Sequence, residues 1–229
     1  MASDEVIWLR PEGGGVGRPA QRSRAEITAA ALALADRDGL DAVSMRRVAA
    51  ELGTGAGSLY RYVTSRDDLL DLMGDSAAAD YELPAPTGDP LADLVQLGLR
   101  AREVHRRHPW LTELVATRPV LGPAGVEVLE WVLSVLAEHP ADDQTKLEAF
   151  AVLTLVVVSF ARAEQTAHVA GVNRYLAHVV EAGTHPHIAA LNLDAAGTGE
   201  DRFADILERV LRGLLEPARV ASHRADGTT

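Results

Sequence analysis

The chain has 229 residues, no cysteine, 47% hydrophobic residues and a formal net charge of −11. This length fits one large domain or two small ones with a sizeable core. The lack of cysteine excludes disulfides, thiolate nucleophiles and cysteine-ligated metal sites, which fits a reducing, cytoplasmic location. The longest apolar run, Ala149 to Val158, is too short to span a membrane, and the acidic start of the chain is unlike a signal peptide.

Positive charge is concentrated near the amino end. Between Arg18 and Arg66 there are eight arginines and five carboxylates, a net charge of +3, which leaves −14 for the rest of the chain. A basic segment on an acidic body is typical of a small nucleic-acid-binding head joined to a domain with another role. A chance fluctuation of charge would give the same count.

Residues 23 to 53 predict two helices. Ser23 begins a capping-box sequence, and the helix that follows has apolar residues at helical spacing and ends at Gly39. Ser44 can cap a second, shorter helix that ends at Gly53. Both helices are amphipathic, so we expect them to share one core.

A third and a fourth helix follow the glycine turn. Leu59 and Val63 lie four apart on one face of a short helix, and Ser65 begins a longer helix that runs to about Asp80. The second and third helices with their turn form a helix-turn-helix, a motif that also occurs in other all-helical proteins.

The run SMRRVAAELGTGAGSLYRYVTSRDDLLDLM, from Ser44 to Met73, resembles the DNA-binding segment of the tetracycline-repressor (TetR) family of bacterial transcription regulators. The resemblance extends back through AEITAAALALADRDGLDAV, and LYRYV followed by Arg66 is its most distinctive part. It implies an all-α fold with a three-helix DNA-binding head, a connecting fourth helix and a helical body. The body of such proteins binds a small-molecule inducer and forms a homodimer.

Helical geometry predicts which residues of the third helix face DNA. At about 100° per residue, Arg61 points away from the core direction set by Leu59 and Val63, with Gly57 and Ser58 also outward. An outward arginine in the major groove can donate two hydrogen bonds to guanine. We therefore expect Arg61 to read bases.

Other residues of the head are expected to contact phosphates. Tyr60 and Tyr62 lie at the margins of the third helix, where their hydroxyls would fix the docking register, although each ring could instead be ordinary core. Arg46 and Arg66 match positions that touch DNA in the family and would neutralise phosphates. The alternative for Arg46 is a solvated surface charge.

Residues 1–22 are predicted to form a flexible arm because they include a glycine-rich run that cannot hold a helix. Arg18, Arg22 and Arg24 could reach a minor groove from it, or the segment is a disordered tail.

Pro- and Gly-rich residues from Leu83 to Pro90 separate the head from the body. The domain boundaries are therefore 23–64 for the head, 65–82 for the connecting helix, 83–219 for the ligand-binding and dimerisation domain and 220–229 for a tail. The predicted body helices are Leu91 to Arg107, Trp110 to Thr117, Val126 to Ala137, Asp142 to His168, Asn173 to Glu181 and Asp201 to Leu215.

The body resembles that of the tetracycline repressor more loosely. The helix from Asp142 is apolar on nearly every face, and in the family two carboxy-terminal helices of each subunit form the dimer interface. By order along the chain these would be Asp142 to His168 and Asp201 to Leu215. Thr117-Arg118-Pro119 resembles a motif beside the inducer pocket, and counting back from Arg118 places Gln96 and Arg100 on a pocket-lining helix.

The same alignment predicts an effector without magnesium. Leu114 falls where the drug-bound magnesium meets a histidine in the tetracycline repressor, and leucine cannot ligate a metal. Trp110 and Trp131, with Phe150 and Phe160, could line an apolar cavity, although such residues are often plain core. We expect a largely apolar or aromatic ligand.

No metal, cofactor or catalytic site is predicted. His105 and His108, and likewise His185 and His187, lack a third ligand at a suitable spacing. No Gly-x-Ser-x-Gly or His-Glu-x-x-His motif occurs.

The hypothesis is thus a cytoplasmic, homodimeric repressor that leaves a palindromic operator when a small molecule binds. A ligand-dependent activator or corepressor-type regulator is an open alternative, as is a small-molecule carrier or enzyme with a vestigial DNA-binding head.

Overall fold

The computed structural model describes residues 6–11, 22–118, 120–165, 169–190 and 201–216, with the backbone alone for 169–173. Across these residues the chain is helical and contains no strand, so the predicted all-α class is confirmed. The helices are α1 (Arg24–Asp38), α2 (Met45–Glu51), α3 (Ala56–Leu59), α4 (Arg66–Ala79), α5 (Pro90–Arg107), α6 (Pro109–Thr117), α7 (Pro123–Val135), α8 (Asp143–Gln165), α9 (Val169–Ala182), α10 (Pro186–Ala189) and α11 (Phe203–Leu215).

Serine caps begin the helices of the head as predicted. Ser23 Oγ accepts a hydrogen bond from Glu26 N at 3.1 Å, and Glu26 Oε2 accepts one from Ser23 N at 2.9 Å. Ser44 caps α2 and Ser65 caps α4 in the same way, each through its side-chain oxygen. Gly39 follows α1 with φ of 83°, a conformation that glycine adopts without strain.

The third helix is a single α-helical turn. It is continued by a hydrogen bond from Val63 N to Leu59 O at 3.0 Å, and both side chains are fully buried. Gly53, with φ of 63°, makes the turn that sets α3 across α2. Leu59 and Val63, which the sequence places on one helix face, therefore anchor α3 in the core.

The head shares its core with the connecting helix and with α6. Buried apolar side chains run continuously from α1, α2 and α3 through α4 to Trp110, Leu111 and Leu114. Trp110 Nε1 also donates a hydrogen bond to Asp36 Oδ1 on α1 at 2.6 Å. One continuous core therefore crosses the predicted boundaries at residues 64 and 82. These boundaries divide segments of the chain and not separate cores.

A second core joins α5, α8 and α11. Gly98 lies so close to Leu207 that a Cβ atom there would overlap the leucine side chain, so α5 and α11 pack tightly. Arg102, 5% exposed, pairs with Glu164 and with Asp201 Oδ1 at 2.7 Å. These contacts fix the three helices at one end of the body.

Some predicted boundaries differ from the observed ones. α7 begins at Pro123 rather than Val126 and α9 at Val169 rather than Asn173, while the short α10 was not predicted. Residues 12–21, 166–168, 191–200 and 217–229, which include His168 at the predicted end of the long body helix, lie outside the described residues.

The prediction of a flexible arm is wrong for residues 6–11. Ile7–Leu9 form a 3₁₀ turn, and Ile7 is 1% exposed. Arg10 pairs with Asp68 on α4 and donates a hydrogen bond to Thr64 Oγ1 at 2.5 Å. Burial alone would raise the pKa of Asp68, but hydrogen bonds from Arg10 and Thr64 hold it below its usual value.

Crossing a bilayer takes a long apolar helix. None of the helices in the described segments meets that requirement.

Candidate functional site

Two arginines of the head are exposed and have no partner among the described residues. Of the seven arginines between residues 22 and 66, five are held by carbonyls or carboxylates of the fold: Arg22, Arg24, Arg37, Arg47 and Arg66. Arg46 on α2 and Arg61 after α3 are exposed and bond to no described residue. They are available to an external anion.

The exposed side of α3 carries little bulk apart from Arg61 and Tyr60. Tyr60 is 50% exposed, and Gly57 has open space where a Cβ would lie. Ser58 Oγ donates to Gly55 O at 2.7 Å and lies 2.8 Å from Thr54 Oγ1, so its hydroxyl already braces the turn. This surface lets another molecule approach the backbone of α3 closely.

The sequence predicts that Tyr62 and Arg66 contact phosphates, but in the structure both side chains contact the protein itself. Tyr62 is 8% exposed and belongs to the core of the head. Arg66 donates to Val43 O at 2.9 Å and to Leu40 O at 3.1 Å, which ties the start of α4 to the turn before α2. Their contribution to DNA binding stays a prediction, and each has a structural role.

Arg22 and Arg24, which the sequence offers for contact with a minor groove, also bond to the protein itself. Arg24 Nε donates to Tyr62 O at 3.0 Å, and its Nη1 donates to Arg10 O at 2.9 Å. Arg22 donates to Leu52 O at 2.7 Å. Arg18 lies outside the described residues. Arg22 and Arg24 therefore clamp the segments around α1 together.

A cavity of about 70 Å³ opens in the body beneath α4. Its wall comes from α4, α5, α6, α7, α8 and the segment before α7. The lining residues are mostly apolar: Gly74, Ala78, Tyr81, Leu97, Ala101, His105, Leu111, Val115, Val120, Leu121, Gly125, Val128, Phe150, Leu153, Thr154 and Val157. The lining includes no acidic side chain, no lysine and no arginine.

The histidine of this wall is deeply buried. His105 is 1% exposed, and burial lowers its pKa to about 4, so the imidazole is neutral at pH 7. Its Nδ1 lies 3.0 Å from Thr112 Oγ1, which also accepts a hydrogen bond from Gln165 Nε2 at 3.0 Å. Burial also raises the pKa of the Tyr81 hydroxyl to about 12. The polar groups of the cavity are therefore neutral.

Of the residues that the sequence offers for the ligand site, Phe150 lines this cavity. The others do not line it: Gln96, Arg100, Trp110, Leu114, Arg118, Trp131 and Phe160. Trp110 and Leu114 are buried in the core shared with the head. Trp131 Nε1 donates to Pro84 O at 2.9 Å, and Arg100 donates to Glu82 O.

The other two candidates are also elsewhere. Gln96 lies on the exposed side of α5, and Arg118 pairs with Asp67 and Asp71 of α4. Sequence reasoning treated His105 only as a possible metal ligand. The available signal was its spacing, because His105 continues the buried stripe of Leu97 and Ala101 along α5.

Comparisons with known proteins agree with this arrangement. A family profile described as "Bacterial regulatory proteins, tetR family" matches residues 27–73, and one described as "Tetracyclin repressor-like, C-terminal domain" matches residues 83–217. The HTH-type transcriptional repressor DrrR1 of Streptomyces coeruleorubidus is 34% identical over 225 residues, which cover 92% of this chain and 83% of the relative.

Solved structures of ActR from Streptomyces coelicolor are also similar. The complex with actinorhodin is 30% identical, with a TM-score of 0.75 over 86% of this chain and 96% of that one. The complex with (S)-DNPA has a TM-score of 0.73 over 84% and 96%.

The fold and the exposed helix-turn-helix define a DNA-binding transcription regulator. The chain belongs to the TetR family of bacterial regulatory proteins.

Proposed function

We propose that this chain is a homodimeric repressor that binds a palindromic operator and leaves it when a small molecule fills the body cavity. The observation that carries the DNA-binding part is the pair Arg46 and Arg61. Both are exposed while the other described arginines of the head are held by the fold. In the major groove Arg61 reads base edges, whereas Arg46 and Tyr60 contact phosphates.

The dimer forms through the outer faces of α8 and α11. Leu147 and Leu155 on α8 are 44% and 67% exposed, and Val210 on α11 is 40% exposed. Gly213 on α11 has open space where a Cβ would lie, which permits a close helix contact. Exposed apolar side chains on two helices favour association, because a second copy of the chain that packs on them removes them from water.

The effector acts through α4, because this helix forms part of the cavity wall and also carries the head. Gly74 and Ala78 of α4 line the cavity, and Leu69, Leu70 and Met73 of the same helix lie in the head's core. A ligand that needs more space beneath α4 favours a body conformation in which the two heads are wrongly spaced for successive major grooves. DNA and ligand then oppose each other by linkage.

The names of the relatives support repression and a small-molecule effector. DrrR1 is called a repressor, and ActR has been crystallised with actinorhodin and with (S)-DNPA. We place the effector of this chain in the corresponding helical body.

The test is selection of bound sites from random duplex DNA, run in parallel with the Arg61→Ala variant. The proposal expects a palindromic consensus for the wild type and a weakened or relaxed consensus for the variant. A folded dimer that enriches no sequence in low salt would contradict release by the ligand and point to a corepressor-dependent regulator or a vestigial head.

A further inference from the structure

We infer that His105 is a hydrogen-bond donor in the effector cavity and that it selects an uncharged, largely aromatic ligand with a carbonyl oxygen. The inference rests on the proposed function, since it assigns the chemistry of the ligand that the body cavity would hold.

The tautomer of His105 follows from the hydrogen bonds of Thr112. The Thr112 hydroxyl is buried, carries one proton and, among the described residues, bonds only to Gln165 Nε2 and His105 Nδ1. In the orientation in which the Gln165 amide donates to Oγ1, the Thr112 proton is paired when Thr112 donates it to Nδ1. The ring proton of His105 therefore resides on Nε2.

His105 contributes to the cavity wall, and its Nε2–H has no acceptor among the described residues. The residue is 99% buried. A ligand that offers an acceptor to this N–H gains a hydrogen bond in a site largely shielded from water.

The rest of the wall excludes charged ligands. An ion would lose its hydration on entry and would meet no charged side chain, because apart from His105 the polar side chains of the wall are Tyr81 and Thr154. Thr154 Oγ1 already donates to Phe150 O at 3.0 Å. The rings of Tyr81 and Phe150 add aromatic surface on which a planar ligand packs.

Two probes with the same three-ring frame test this assignment: 9-fluorenone, which has one carbonyl, and fluorene, which has a methylene in its place. Equilibrium dialysis of the full-length protein gives the dissociation constant of each. We expect the wild type to bind fluorenone about tenfold more tightly than fluorene, as one hydrogen bond in a dry site predicts.

Two variants separate the hydrogen bond from packing. His105→Phe keeps an aromatic ring but removes the N–H, and we expect the preference for fluorenone to disappear while the affinity for fluorene changes less than threefold. Thr154→Val removes a different polar atom from the same wall and is expected to keep the preference.

The tautomer has its own readout. Long-range ¹H–¹⁵N NMR spectra of the wild type at pH 7 are expected to show the Nε2–H form of His105. Thr112→Val removes the hydroxyl that fixes this form and is expected to change the nitrogen shifts and reduce the preference for fluorenone.

Equal binding of the two probes by the wild type would overturn the inference. So would an Nδ1–H tautomer, a preference that survives His105→Phe, or the failure of both probes to bind. Binding of the selected operator duplex is measured for each variant without probe. If the duplex binds while the probe preference is absent, the ligand assignment fails and the DNA-binding function stands. If the wild type binds no duplex, the proposed function fails, and the probe ratio still decides the role of His105.

Discussion

Arg118, the residue after α6, forms an ion pair with Asp71 on α4, with 2.9 Å between Nη2 and Oδ1. A second carboxylate of α4, Asp67, lies 3.1 Å from Nη1. Arg118 belongs to the motif expected beside the inducer pocket, but it ties the body to the helix that carries the head. Burial raises the pKa of Asp71 while Arg118 opposes the rise, so this carboxylate depends on its partner.

A double-mutant cycle measures that link. We expect Arg118→Ala and Asp71→Asn to couple by about 0.5–1 kcal/mol in the free energy of unfolding, because both side chains are only partly exposed. Asp67 is 75% exposed, so the matched cycle with Asp67→Asn should give a smaller coupling. Urea unfolding of the single and double variants supplies the values. Equal coupling for the two aspartates would argue against a specific brace through Asp71.

Arg46 and Arg66 provide a matched pair of arginine-to-glutamine changes in the head. Arg66→Gln loses hydrogen bonds to the carbonyls of Leu40 and Val43, so we expect it to lower the free energy of unfolding by about 1–2 kcal/mol. Arg46→Gln breaks no bond to a described residue and should change stability by less than about 0.5 kcal/mol.

For Arg46→Gln, the expected effect is on DNA binding rather than on stability. Arg46→Gln should weaken operator binding for all sequences alike and reduce the salt slope by about 1. Fluorescence anisotropy with a labelled duplex at several salt concentrations measures both quantities. If Arg46→Gln leaves the slope unchanged, Arg46 is only a solvated charge.

Acid should destabilise the protein through His105. The pKa of this histidine is about 4 in the folded chain and 6.5 when unperturbed, so the unfolded state binds the proton more tightly. Its contribution is complete above pH 6.5 and is lost as the pH falls from 6.5 towards 4. Between pH 7 and pH 5 the expected loss is about 2 kcal/mol.

The His105→Phe variant isolates this effect from that of the carboxylates. Chemical denaturation of the wild type and the variant at pH 7 and pH 5 should show that the free energy of unfolding decreases less for the variant. The same decrease in both proteins would mean that His105 is already charged, or equally accessible to protons, in the folded state.

Two exposed leucines test the dimer. Leu155 on α8 is 67% exposed and lies in the proposed interface, whereas Leu9 is 71% exposed in the amino-terminal turn. We expect Leu155→Glu to shift the protein to monomers in sedimentation velocity, because a carboxylate cannot be buried there unpaired. Leu9→Glu should remain dimeric. A dimeric Leu155→Glu protein would place the interface elsewhere.

The head was predictable from sequence because its signals are local. Ser23, Ser44 and Ser65 cap helices whose apolar spacing is visible in short windows, and Gly39 ends α1. The outward position of Arg61 follows from the rotation of one helix turn.

The parts that sequence reasoning missed depend on contacts between distant residues. Arg66 bonds to carbonyls 23 and 26 residues before it, and nothing near Arg66 in the chain signals that use. His105 has a role only through Thr112 and Gln165, which come from two other helices. Apart from Phe150, the effector-site candidates do not line the cavity, because a loose resemblance does not fix the register of the body helices.

Arg61 is the residue through which we propose that the head reads DNA sequence. The decisive measurement is the affinity of the wild type and Arg61→Ala for the selected operator and for a set of its single base-pair variants. We predict that Arg61→Ala loses about 1–3 kcal/mol on the operator and no longer discriminates among base pairs at one symmetric pair of positions. An Arg61→Ala protein that keeps the wild-type base preference at every position would contradict this account.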